Sequence, residues 1–307
     1  MLCEREGGRL WGVSLCSPMV LADAATRSIA TNQPAPAVQQ PAYLGFANSA
    51  MDWGGVRWST FVWGMIPTDE NARRRMMLHE LFHRIQPQLG LLAGGGQNDH
   101  VDTPDGRYWL QLEWRALAKA LGGHGAERTA AVRDALAFRL TRRKLFPGAA
   151  GNERPEEIRE GLAQYTGTVV SAVSTAEAAA SAIRQLAESA RIPSFVGIFA
   201  YASGAAYGIL LDAWSPGWTR QVKASDDLGQ LLMAAAQVQP SENAEAAAMQ
   251  YGSPELKVAE EKREAEWKAR IADCWTLKLA PGWVVRPGSR PGDFQLVGDT
   301  HTPPPQR

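Results

Sequence analysis

The sequence predicts an α+β protein, with a small β-sheet near the N-terminus followed by a mainly helical lobe. Three observations carry this. Residues 56–66 are rich in Val, Trp, Thr and Phe, types that suit a pleated, half-buried strand. Residues 10–32 alternate β-branched and apolar positions and are broken by Ser17-Pro18 and by Asp23-Ala24-Ala25-Thr26. Beyond residue 69 the chain is dominated by helix formers, with long Ala-rich stretches.

Taken in order, residues 10–32 read as two or three strands with hairpin turns, and residues 32–42, with three prolines, as a connector. The strand at 56–66 leads to a helix that runs to Gln86, with Thr68 as its N-cap and Asp69 and Glu70 in its first turn. Pro87 and Gly90 close it. Helices follow at about residues 107–121 and 126–145, then a Gly/Pro-rich loop at 147–155, then the helix of Glu160. Residues 195–211 are the most apolar stretch. Ser203, several small residues and the terminal Asp212 make this a buried core helix rather than a membrane span. Helices at about 175–189, 227–238 and 256–272 complete the lobe, the last begun by Ser253-Pro254-Glu255. One unit over residues 1–285 is expected, 1–90 being sheet plus motif helix and 91–285 the helical lobe. Residues 286–307 read as an extended or disordered tail.

The 307 residues carry 32 basic and 32 acidic side chains, so the formal charge is zero. The clusters Arg73-Arg74-Arg75 and Arg142-Arg143-Lys144 read as solvated helix faces, and nucleic acid is not an expected partner. Stable membrane insertion is not expected either. The three cysteines form no CxxC pair, although Cys3 and Cys16 could bridge. No apolar leader follows Met1, so the expected compartment is cytoplasmic by default, or exported if the true N-terminus lies upstream.

The chemistry begins at His79-Glu80-Leu81-Phe82-His83. On a helix, positions i and i+4 share a face, so both imidazoles converge on one point and suit a single zinc ion. Glu80, one step round, is placed to act as general base on a water. With five His and 19 Glu in the chain, random placement yields any HExxH about once in two hundred such sequences. A catalytic zinc site needs a third protein ligand. The Gly and His that extend the metzincin motif are replaced by Gln86 and Leu89. His100, His124 and His301 show no helical pattern facing back toward the site.

The segment Glu160-Gly161-Leu162-Ala163 resembles the second zinc-binding helix of the gluzincin metallopeptidases, at the clan level of aminopeptidase N-like and thermolysin-like enzymes. The resemblance implies a zincin-like fold, with an edge strand before the active-site helix, and Glu160 as third ligand to one Zn²⁺. Glu113 and Asp102 stand next in line for that role. Glu160, Ala163 and Gly167 share one face, and the two small residues permit close approach to the motif helix. The segment Tyr201-Ala202-Ser203-Gly204 partly matches the gluzincin Y-E-K-G, which implies that Tyr201 stabilises an oxyanion. Tyr207 is the fallback donor, with His100 behind it. Two departures bear on specificity. The ligand segments are separated by 76 residues, more than in aminopeptidase N-like enzymes. Val62-Trp63-Gly64-Met65-Ile66 also lacks the Glu with which those enzymes bind a substrate amino terminus.

The sequence therefore leads to a zinc metallopeptidase acting on a peptide or protein substrate, with ligands His79, His83 and Glu160, base Glu80 and donor Tyr201. Gln164, one turn beyond Glu160, is a candidate for orienting a ligand. The competing expectations are a non-peptide amide or ester zinc hydrolase and a non-catalytic zinc-binding scaffold.

Overall fold

A computed structural model describes residues 2–42, 44, 47–274, 283–287 and 294–298. The chain opens with helix α1 (Leu2–Trp11), where strands were expected from residue 10 onward. Its last residues are drawn into the core: the Trp11 ring lies 4.7 Å from Phe82 and 6.5 Å from Trp218. A disulfide joins Cys3 to Cys16 and ties the helix to the segment entering the sheet.

Strands β1 (Met19–Ala22) and β2 (Ile29–Thr31) form an antiparallel hairpin, and β3 (Ser49–Trp53) and β4 (Val56–Val62) form a second. The second turns on Gly54 and Gly55, both at positive φ (61° and 76°), the combination a tight two-residue hairpin turn demands. Strand β1 pairs with β4 in parallel, so the order is β2-β1-β4-β3. The strand directly before the motif helix is therefore interior, not the edge strand expected. From Trp58 to Val62 every β4 residue is buried, so both faces of the strand are covered along this stretch. The edge is β3. The strand also ends at Val62, and residues 63–65 form a 3-10 turn.

Helix α2 (Glu70–Ile85) packs against β3 and β4. Its N-cap is Asp69 rather than Thr68: the Asp69 carboxylate accepts from the Ala72 amide at 2.7 Å. Two long helices follow, α3 (Pro104–Gly122) and α4 (Gly125–Leu145). The stretch expected as a Gly/Pro loop is helix α5 (Ala149–Glu156), with Pro155 inside it. A π-helical turn, Glu157–Gly161, then leads without a break into α6 (Leu162–Ser171).

The remaining helices are α7 (Thr175–Ser189), α8 (Phe199–Trp214), α9 (Leu228–Ala236), α10 (Ala244–Ala248) and α11 (Ser253–Cys274). Helix α8 is buried along most of its length. Among the described residues no helix is long and apolar enough to cross a membrane. One apolar core reaches from Leu10 to Leu256, and a smaller one covers the sheet face of Val20, Met51 and Trp58. Within residues 286–307, read as a tail, the structure has strand β6 (Phe294–Gly298) paired antiparallel with β5 (Trp283–Pro287). The rest of that tail lies outside the described residues.

Candidate metal centre

Two turns of α2 and the π-turn build the site. His79 and His83 project from one face of α2, with their Nε2 atoms 3.0 Å apart. Glu160 enters from the π-turn. Its Oε2 lies 3.2 Å from His79 Nε2 and 3.3 Å from His83 Nε2. Four ligands held about 2.0–2.1 Å from a tetrahedral zinc lie about 3.3–3.4 Å from one another. The three atoms thus form a triangle close to one face of that tetrahedron.

The outer hydrogen bonds fix which lone pairs face inward. Gln86 donates its amide NH₂ to the backbone carbonyls of Ile158 (3.2 Å) and Arg159 (3.0 Å). Its Oε1 is therefore turned to His83 Nδ1, at 2.7 Å, and makes that nitrogen the donor. Gln164 repeats the device: its NH₂ donates to Gln185 at 2.6 Å, and its Oε1 meets His79 Nδ1 at 3.1 Å. Both imidazoles then present bare Nε2 lone pairs to the same point as a carboxylate oxygen. Glu160 Oε2 is buried and receives no hydrogen bond. Three converging acceptors repel unless a cation lies among them, so the donor set fits a metal ion of the zinc type.

Burial alone would raise the Glu160 carboxyl. An imidazole that carries its proton on Nε2, and the Tyr201 hydroxyl, instead pull it well below the usual carboxylate range. Arg159 holds the other oxygen, Oε1, at 3.0 Å. The Glu80 carboxyl is pushed up by burial and by Glu160, against the opposing pull of His79 and His83. A carboxylate of raised pKa is better matched to taking and returning a proton near neutrality. The Tyr201 ring stacks on His79, with centroids 5.3 Å apart and planes 2° from parallel. Burial and the Glu160 charge push its hydroxyl up, so it stays protonated and able to donate.

Small residues set these distances. A Cβ on Gly167 would lie 2.5 Å from the Arg75 carbonyl oxygen, so α6 crosses α2 in direct backbone contact. A Cβ on Gly204 would lie 2.2 Å from Gly161 Cα, so α8 crosses the π-turn equally closely. That crossing brings Tyr201 to Glu160. From behind, a buried ionic network anchors the π-turn. Arg139 clasps both oxygens of Glu157, at 2.7 and 2.5 Å, and Arg142 holds Glu153 while pairing with Glu113. Arg142 and Arg143 are thus buried ion-pair partners, not the solvated face expected.

The structure brings His79, Glu80, His83, Glu160, Tyr201 and Gln164 together around one cleft or its immediate support. The fallback residues lie elsewhere. The Tyr207 hydroxyl donates to Glu113 at 2.7 Å, His100 pairs with Glu153 at 2.8 Å, and Asp102 accepts from the Phe195 amide at 2.6 Å. Among the described residues, His79, His83 and Glu160 form the one His/Cys/Asp/Glu group suited to a metal. The sequence reading missed Gln86 as a partner of His83. Its signal was present, because a residue three positions beyond His83 shares its helix face. Arg57 on β4 was also missed, and no local pattern announces it.

The cleft measures about 260 Å³ and is lined on one side by Asn48, Ser49 and Ala50 at the start of the β3 edge. Leu91, Leu92 and Ala93 line it after α2, and Arg57 and Arg159 contribute charge. Comparison with known proteins adds no relative: no family model, curated protein or solved structure matches the chain.

Proposed function

We propose that this protein is a zinc-dependent metallopeptidase of gluzincin type with a zincin-like fold. The observation that carries the reading is the His79–His83–Glu160 triangle of inward lone pairs, with Glu80 beside it in an open cleft. His79, His83 and Glu160 would hold the ion. Zinc supplies the Lewis acidity that makes water nucleophilic at neutral pH and polarises a carbonyl. Glu80 accepts the proton of the attacking water and returns it to the leaving amine. Tyr201 donates to the oxygen on which negative charge develops. Gln86 and Gln164 keep both imidazoles in the ligating tautomer. Substrate backbone pairs with the free edge of β3, whose Ser49 and Ala50 line the cleft, as an added strand.

The test is a peptide-library digest read by mass spectrometry, with the zinc-loaded protein beside its Glu80→Gln variant. Cleavage by the first and none by the second, at equal zinc content, supports the proposal. Equal cleavage by both, or none by the zinc-loaded protein, contradicts it.

A further inference from the structure

Two arginines line the cleft, and they are differently engaged. Arg159 is committed to acids of its own turn, bonding Glu156 at 2.8 Å and Glu160 at 3.0 Å. Arg57 pairs through Nη1 with Asp52 at 3.0 Å, and that carboxylate is 72% exposed and therefore a weak partner. The Arg57 Nε is buried and has no hydrogen-bond partner. Arg84, one turn beyond Glu80 on α2, stands close enough for the two guanidinium charges to repel. It donates through Nη2 to the carbonyls of Ser14 and Cys16, and its Nε is also buried and unpartnered. Arg57 therefore brings a positive charge to the cleft wall with Arg84 behind it, and among the described residues its one ion-pair partner is the exposed Asp52. The Arg57 side chain is itself 37% exposed, so its exposed N–H groups can take a further carboxylate in a charge-assisted hydrogen bond.

We infer that Arg57, backed by Arg84, receives a carboxylate of the substrate, so that the site selects peptides carrying negative charge beside the scissile bond. The inference rests on the peptidase reading and names its substrate class. Two carboxylates qualify, an acidic side chain and a free C-terminus.

The experiment compares kcat/KM for three matched peptides: one neutral and amidated at its C-terminus, one amidated with a single Glu moved along the sequence, and one neutral with a free C-terminus. The wild type should favour one of the charged peptides by at least tenfold, and which one identifies the source. Arg57→Gln should bring that ratio toward one. Arg57→Glu should turn the preference toward peptides carrying Lys at the same position, which a merely structural role for Arg57 would not do. No preference in the wild type, or a preference that survives Arg57→Gln, overturns the inference. Binding gives a readout that needs no turnover. Calorimetry of the same peptides on the zinc-loaded Glu80→Gln protein should show the charged peptide bound more tightly, and the difference lost in the double variant. Equal binding of all three peptides overturns the inference. If the binding preference holds but no peptide is cleaved by the wild type, the carboxylate site stands and the peptidase reading falls.

Discussion

Replacing Gly204 by Ala tests whether the site is assembled by backbone contact between α8 and the π-turn. An ideal Cβ at Gly204 would lie 2.2 Å from Gly161 Cα, 2.6 Å from its carbonyl carbon and 2.8 Å from its oxygen. All three are backbone atoms, so no side chain can swing aside. Non-bonded carbons settle at about 3.5 Å or more, so the two elements must part by roughly 1.3 Å. Overpacking of this kind costs about 1–3 kcal/mol. Each kcal/mol lowers the unfolding midpoint by on the order of 2–4 °C in a chain of this class. Tyr201 rides on the same helix, three residues earlier, stacked on His79. If Tyr201 acts as proposed, displacing its hydroxyl by about 1 Å costs on the order of 10²-fold in rate. Differential scanning calorimetry and kcat measurement on one preparation should therefore show both losses. Gly197→Ala is the control, because a Cβ there meets nothing within 4 Å. A Gly204→Ala protein with wild-type midpoint and wild-type kcat would show that backbone contact between α8 and the π-turn does not position Tyr201.

Three further outcomes follow from the same geometry. Gln86→Leu leaves His83 Nδ1 without its acceptor and two carbonyls without a donor; zinc affinity, measured by competition with a chromophoric chelator, should fall about 10–100-fold. Burial would raise the Asp227 carboxyl, but Arg139 and Arg143 hold it well below the ordinary value. A depressed folded pKa adds stability that is present above the unfolded value of about 3.9 and is lost as pH falls through the folded one; urea melts from pH 5 downward should show a shallower acid decline in Asp227→Asn than in the wild type. The Cys3–Cys16 disulfide closes a loop with a sequence separation of 13, a constraint worth about 3 kcal/mol in the chain-entropy model; Cys16→Ser should lower the unfolding midpoint, and a reductant should have no further effect on that variant.

What the sequence made legible was local. The HExxH pair lies within two turns of one helix, so its convergence follows from helical spacing alone. Gly167 was readable as a small residue permitting close approach, because the absence of a side chain is visible without knowing the neighbour. What stayed hidden depends on partners far along the chain. That β4 is interior and β3 the edge is decided by the parallel pairing of β1 with β4, some forty residues apart. The helix through Pro155 contradicts local propensity, since proline inside a helix removes a hydrogen bond and crowds the preceding turn. Flanking Glu153 and Glu157 hold it there by ion pairs to α4. The same network explains why Arg142 and Arg143, which look like surface charge in the sequence, are buried. Helix α1 was missed because Gly7 and Gly8 inside it lower its helix propensity, and Cys3–Cys16 and the packing of Trp11 on Phe82 hold it in place.

The most direct test of the account is the zinc stoichiometry and coordination of the purified wild type, measured by elemental analysis with X-ray absorption, beside Glu160→Ala and Glu80→Gln. A His79–His83–Glu160 zinc site predicts one zinc per chain, two imidazole nitrogens and at least one oxygen at about 2.0–2.1 Å. It also predicts retention in Glu80→Gln and a sharp loss of affinity in Glu160→Ala. A wild type that binds no stoichiometric zinc, or a Glu160→Ala protein that holds it unchanged, would rule out zinc ligation by His79, His83 and Glu160.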